Sequence, residues 1–414
     1  MLHIRLKWMT IRLWSDSMIR MTLIKRHIEN RLYNTLKRSK SILLLGPRQT
    51  GKTTLASQIP VDRSLNLMNP RLRQHYESHP DALINEITQL HHDLGQKCVL
   101  IFIDEIQKCP SIMDAIQLLI DTHVAQFVLT GSSVRQLTNL LPGRVIKYTL
   151  GPYSQSEFPS SYSLETLLIN GSLPGIFPLS DPQIIQEELQ TYVSTYLEEE
   201  IRKEALVRNI GAFSNFLTLA CIESGKLISF RKFSEDIGVS HTSIAEYYRI
   251  LEQCMIVERF EPITTSHSRR RLTKSPKYII FDLGIRRVGA SEGTNLSQER
   301  MGHLFEQWVG LELKKVTSFY SASVHFWRDH NGPEVDWVIK TSASLLPIEV
   351  KWTAYPKSKD ISHINTFMDA YPNCSNGFVV CNTETPYQLS DRVTAIPWQS
   401  LSRTVTEILE NETG

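Results

Sequence analysis

No run of about 20 consecutive apolar residues occurs anywhere in the 414-residue chain, so no segment is long enough to cross a bilayer as a helix. Cysteine is scarce: Cys98, Cys109, Cys221, Cys254, Cys374 and Cys381 are scattered, with no C-x-x-C pair and no His-Cys grouping at zinc-ligand spacing. That excludes a zinc ribbon and a disulfide scaffold, and the expectation is reduced, buried thiols in the cytoplasm. Charge of one sign is also missing, since 45 Lys and Arg face 43 Asp and Glu. A chain-wide polyanion-binding surface is excluded and any basic patch must be local. No signal-peptide core forms at the start, because Arg5, Lys7 and Arg12 interrupt the apolar residues. Residues 1–17 are expected to be an N-terminal extension, with the start at Met1, Met18 or Met21. What remains is a composition of 41% hydrophobic and 21% charged residues, that of a soluble globular protein. At roughly 150 residues per domain the length points to three domains.

The most informative stretch is Gly46-Pro47-Arg48-Gln49-Thr50-Gly51-Lys52-Thr53, a complete phosphate-binding loop. The apolar run Ser41 to Leu45 leads into it and a helical pattern opens at Thr53-Thr54, which is the strand-loop-helix context the motif requires. Backbone N–H groups of the loop and the helix N-terminus are expected to take the phosphates of ATP, with Thr54 completing the nucleotide contacts. Lys52 is expected to reach the β- and γ-phosphates and Thr53 to hold Mg²⁺. A second apolar run, Cys98 to Ile103, delivers Asp104-Glu105 at its carboxyl end, where ligands bind in open α/β sheets. Asp104 reads as the magnesium partner and Glu105 as the base that activates water. A third run, Gln126 to Leu129, ends in Thr130-Gly131-Ser132-Ser133. Thr130 or Ser132 is either a γ-phosphate sensor or a helix cap. Arg144 follows on a Pro-Gly turn and is either an arginine finger or a surface residue.

These segments, with Ile103 to Pro110, Leu129 to Ser133, Pro142 to Arg144 and Leu150 to Phe158, resemble in their order the bacterial and archaeal predicted AAA+ family ATPases that carry a C-terminal domain of unknown function. The resemblance covers nearly all of the chain from about Met18. It implies an AAA+ type ATPase fold and leaves the cellular role open. The chain departs from the family at Glu200, where an aspartate is usual.

Downstream, Ile228 to Ser240 followed by His241 to Tyr248 reads as helix, Gly-Val-Ser turn and second helix, with Gly238 at the turn. Ser240, His241, Thr242 and Ser243 then open either a DNA-recognition helix or a helix used for packing. Arg269-Arg270-Arg271 with Lys274 and Lys277 is either a phosphate contact or a solvated loop. In the last third, Gly302 to Val309 reads as an amphipathic helix carrying Glu306, followed by alternating runs at Val324 to Arg328, Glu334 to Ile339 and Leu346 to Lys351. Asp336, Glu349 and Lys351 fit the D-x(n)-E-x-K arrangement of PD-(D/E)XK nuclease-like folds. Glu349 and Lys351 share a strand face, so Asp336 and Glu349 are candidate ligands for Mg²⁺, with Glu306 and Lys351 beside them. A buried charge cluster kept for structure is the other reading.

The expected architecture is α/β: a parallel P-loop NTPase sheet of AAA+ type over 18–165, a helical connector over 166–210, a winged-helix-like domain over 211–290 and an α/β nuclease-like domain over 291–414. The expected function is Mg²⁺-dependent ATP binding and hydrolysis in a regulatory, DNA-associated protein that forms homo-oligomers or binds a protein partner. The alternatives are a metal-dependent nuclease gated by its ATPase, and a nucleotide-switched scaffold that binds another protein.

Overall fold

The computed structural model describes residues 24–133, 143–158, 162–200, 209–263, 275–329 and 332–413. The expected N-terminal extension, Met18, Met21, Pro142, Arg269 to Arg271, Lys274 and His330 lie outside the described residues.

The first sheet has five strands, β1 (Ser41–Leu45), β2 (Arg63–Asn66), β3 (Val99–Asp104), β4 (Ala125–Gly131) and β5 (Val145–Thr149), in the order β2-β3-β4-β1-β5. Every pairing in it is parallel. The three apolar runs read from the sequence are its central strands, because a parallel sheet covered on both faces buries every side chain of its middle strands. All five residues of β1 are buried. The edge strands are largely uncovered, with Leu65 alone buried in β2 and no residue buried in β5, so Arg63–Asn66 and Val145–Thr149 lack the continuous apolar run of the central strands. Helices Ala82–Asp93 and Met113–Asp121 cover one face through Leu83, Ile87, Ile116 and Leu119, which pack with Ile101, Ile103 and Phe127.

The middle of the chain forms the helix-turn-helix expected of it. Helix Phe230–Ile237 is capped by Ser229, the chain turns at Gly238 with φ 78°, and helix His241–Gln253 is capped by the Ser240 hydroxyl. Phe213, Phe216, Phe233, Tyr247 and Tyr248 make one aromatic core around the two helices. A β-hairpin of β6 (Val257–Pro262) and β7 (Lys277–Ile280) follows, at the position of a wing.

This hairpin is also the end of a second, eight-stranded mixed sheet. β6 runs parallel to β8 (Ser323–Arg328) through Glu261 opposite His325 and Pro262 opposite Phe326. Beyond β8 come β9 (Glu334–Lys340), β10 (Leu345–Val350), β11 (Gly377–Cys381), β13 (Val393–Pro397) and β12 (Tyr387–Ser390), giving the order β12-β13-β11-β10-β9-β8-β6-β7. The β6–β7 hairpin and the C-terminal strands therefore share backbone hydrogen bonding across residue 290. Helix Gln298–Thr317 packs on one face through Leu304, Phe305 and Val309 against Trp337 and Ile339, and Ser362–Ala370 covers the other through Ile364 and Phe367 against Val338 and Trp327.

Candidate functional sites

The first site lies at the carboxyl ends of β1, β3 and β4. The loop after β1 needs glycine at both ends. A Cβ on Gly46 would come 2.1 Å from the Leu150 carbonyl oxygen, and Gly51 has φ +88° at the start of helix Lys52–Ala56. Gln49 is held at φ 61°, a strained value for a side-chain-bearing residue and of the kind found in ligand-binding loops. The loop is braced from outside by Arg26, which donates to the Thr50 carbonyl at 2.8 Å, to the Gly151 carbonyl at 2.8 Å and to Glu157 at 3.1 Å. Thr50 closes the loop internally with a 2.9 Å bond to the Pro47 carbonyl. Arg48 lies over the Tyr196 ring, and Tyr192 donates to the Arg48 carbonyl, which ties the loop to the π-helical segment Tyr192–Glu200.

Inside the loop, the Lys52 ammonium donates to the carbonyls of Gly46 and Pro47 at 2.8 and 2.7 Å. Burial pushes its pKa down to about 8, against the raising effect of Glu105 and Asp104. The Thr53 hydroxyl donates to both Asp104 oxygens at 2.9 and 3.1 Å. A hydroxyl and a carboxylate meeting at one point beside a phosphate loop fit the oxygen donors that Mg²⁺ requires. Thr130 donates to Asp104 at 2.5 Å, and Ser132 donates to Glu105 at 3.1 Å. The two candidate sensors are thus directed at the two acids. Thr54 is exposed on the first turn of the helix.

Arg144 is placed elsewhere. It forms a two-point pair with Asp121, at 2.7 and 2.8 Å, immediately before β5. It therefore sits at the amino end of that strand, about 16 Å from the nucleotide end at ~3.3 Å per residue. The Asp121 pair fits the expected reading of Arg144 as a surface residue, and the expected finger role is one played in trans, away from its own phosphate loop.

The second site is a charge cluster where β7, β9, β10 and helix Gln298–Thr317 meet. Lys277 donates to Glu306 at 2.7 Å, and its ammonium lies 5.0 Å from the Phe326 ring centroid and 5.4 Å from that of Trp337. Lys351 donates to Glu349 Oε1 at 2.8 Å, as their shared strand face requires. Asp336 accepts from the Val350 N–H at 2.8 Å. Burial, then the neighbouring charges of Glu349 and Glu306, pushes the Asp336 carboxyl well above the usual range; burial also raises Glu349. The other Glu349 oxygen, Oε2, is buried without a hydrogen-bond partner. The four residues expected here are brought together, but with Lys277 as a fifth. Among the described residues, no group of three or more His, Cys, Asp or Glu is arranged to hold a metal ion. Glu306 is drawn towards the Lys277 ammonium instead.

Sequence reading missed Arg26 and Gln107. Gln107 had a signal, two residues after Glu105; Arg26 acts on a partner 131 residues away and had none. Lys277 was expected in a basic phosphate-contacting or solvated loop, and the structure corrects this: it is buried in β7 and paired with Glu306.

Comparison with known proteins agrees with the first site. Residues 38–159 match the family model described as AAA domain. Those residues hold the five-stranded parallel sheet and the phosphate loop, the fold of a P-loop NTPase. Downstream of them, residues 161–294 and 301–401 match two domains of unknown function, DUF8612 and DUF4143. Two uncharacterized proteins, from Mycobacterium bovis and Mycobacterium tuberculosis, are each 27% identical over 402 residues, which is 94% of this chain and 87% of theirs. Among solved structures, Caenorhabditis elegans PCH-2 matches with 14% identity and a TM-score of 0.26, over 55% of this chain and 65% of that one. Protein VC1899 of Vibrio cholerae matches with 11% identity and a TM-score of 0.22, over 89% and 98%. Among the described residues no helix is long and apolar enough to cross a membrane.

Proposed function

We propose that the chain is a Mg²⁺-dependent ATP hydrolase whose nucleotide cycle regulates its winged-helix-like and nuclease-like parts, with DNA as the partner of the former. The observation that carries this reading is the convergence of Lys52, Thr53, Asp104 and Glu105 at the mouth of one braced loop. Loop N–H groups and Lys52 bind the phosphates, exchanging the ammonium's bonds to Gly46 and Pro47 for phosphate oxygens. Thr53 and Asp104 would hold Mg²⁺, which would supply screening of the phosphate charge. Glu105 takes the proton of the attacking water. On the helix-turn-helix, Ser240, His241 and Thr242 are exposed at the start of the second helix, which supports a nucleic-acid contact there.

The test is ATP binding and phosphate release by the wild type and Lys52→Ala, with and without DNA. Turnover is expected in the wild type, stimulated by DNA and lost in the variant. ATP affinity in the variant drops about 30-fold or more, the lower end for removing a buried charge partner. Because the free Lys52 titrates at about 8, wild-type affinity falls as pH rises past that value, approaching tenfold per unit while binding requires proton uptake. Absence of ATP binding rejects the reading; binding without turnover rejects hydrolysis.

A second reading, a metal-dependent nuclease gated by the ATPase, is favoured by the unpartnered Glu349 Oε2 beside Asp336. It requires Asp336→Ala to abolish DNA cleavage in Mg²⁺ or Mn²⁺ while ATP turnover persists. Wild-type protein that nicks neither DNA nor RNA removes it.

A further inference from the structure

Glu105 ends β3 in the left-handed region, with φ 58°, and the chain turns at once into the short helix Ile106–Lys108. That reversal brings Gln107 back over the Glu105 side chain. Gln107 is buried, and its amide nitrogen donates to Glu105 Oε2 at 2.5 Å and to the Ser132 hydroxyl at 2.8 Å. Ser132 in turn donates to the same Glu105 oxygen at 3.1 Å. With the nitrogen committed to two oxygens, the amide orientation is fixed, since the reverse would set oxygen against carboxylate. The Gln107 carbonyl oxygen is then left buried with no hydrogen-bond partner. Leaving such an acceptor unsatisfied is unfavourable in a folded protein.

We propose that Gln107 is a catalytic residue of ATP hydrolysis, its side-chain carbonyl accepting a hydrogen bond from the attacking water next to Glu105. This rests on the ATPase reading above. Both anchors land on Glu105 Oε2, so Oε1 is the oxygen directed to the water. A water with one hydrogen on Glu105 and the other on Gln107 has its lone pair fixed in direction. In the step, the water oxygen bonds to the γ-phosphorus and the bond from that phosphorus to the bridging oxygen breaks. Its electron pair leaves on ADP, and one water proton passes to Glu105. Gln107 exchanges no proton; it sets the line of attack.

The experiment compares kcat, KM, equilibrium ATP binding and trapping of ADP with aluminium fluoride in the wild type, Glu105→Gln, Gln107→Leu and Ser132→Ala. Gln107→Met, of similar length, replaces Gln107→Leu if the latter does not fold. Gln107→Leu is expected to lower kcat about 10- to 100-fold with KM and ATP affinity within threefold, and to lose the trapped complex. Ser132→Ala removes one anchor but keeps the carbonyl, so its loss of kcat is smaller. A Gln107 variant with wild-type kcat overturns the proposal. So does one whose ATP affinity falls by the same factor as kcat/KM with kcat retained, since that is the signature of a structural brace. A wild type without turnover overturns the ATPase reading itself, whereas turnover unaffected by Glu105→Gln places the base elsewhere and overturns only the present proposal; both results are recognisable before any Gln107 variant is measured.

Discussion

Glu105→Gln is expected to lower kcat by about 10²- to 10⁴-fold, the range for removing a positioned general base, while ATP affinity stays within twofold. The substitution is close to isosteric. Its side-chain oxygen still accepts from Gln107 and Ser132, so the anchoring at 2.5 and 3.1 Å has a counterpart and the loop is untouched. What is lost is the capacity to take a proton. The acid is one of two at the end of β3, and the structure gives the two different partners. Asp104 is engaged by Thr53 and Thr130, on the side of the phosphate-loop helix, whereas Glu105 is turned towards Gln107 and Ser132. Asp104 variants should therefore weaken Mg²⁺-dependent binding, and Glu105 variants should not. Phosphate release measured beside equilibrium nucleotide binding decides it. A variant retaining a third or more of wild-type kcat places the base elsewhere.

The phosphate loop, Asp104 and Glu105 were legible in the sequence because each is a contiguous segment at the end of a strand buried on both faces, so motif and context reinforce each other. The helix-turn-helix was legible for the same reason, its caps and turn glycine being local. Edge strands were not: β2 and β5 are half-exposed, and their identity comes from pairing with β3 and β1. Long-range braces were not legible either, since Arg26 finds Glu157 only after the sheet has formed. The continuity of the wing with the nuclease-like sheet rests on two residue pairs between β6 and β8, which no periodicity announces.

That continuity gives Lys277 its second expected effect. Lys277→Met keeps most of the apolar stem under Phe326 and Trp337 but removes the cation from a pair whose members are only 10% and 22% exposed. Breaking a buried pair from one side costs about 3 kcal/mol, because the remaining carboxylate keeps its burial and loses its partner. Here the residue left behind is Glu306, with Asp336 and Glu349 as further acids nearby. The pH dependence follows from the directions of the shifts. Burial works against the Lys277 charge, but Glu306 and Asp336 outweigh it and hold its pKa above the usual lysine value. Its stabilisation is therefore fully present below the unfolded pKa of 10.5 and is lost as pH rises through the higher folded value. Asp336 is raised well above 3.8, so the folded protein holds its proton more tightly than the unfolded chain, and stability falls as pH climbs from 3.8 through the folded value. The variant should accordingly be destabilised most on the alkaline side below 10.5, where Lys277 keeps its charge in the wild type and the raised acids are least protonated. The gap should narrow in acid as they protonate, and again above 10.5. Denaturant melts of wild type, Lys277→Met, Glu306→Gln and the double variant measure this directly, the double recovering part of the loss if the pair is the cause. If Lys277→Met melts with the wild type at pH 8, the pair is not what holds β7 to helix Gln298–Thr317, and the wing is fastened to the C-terminal sheet by the β6–β8 backbone ladder and the aromatic packing alone.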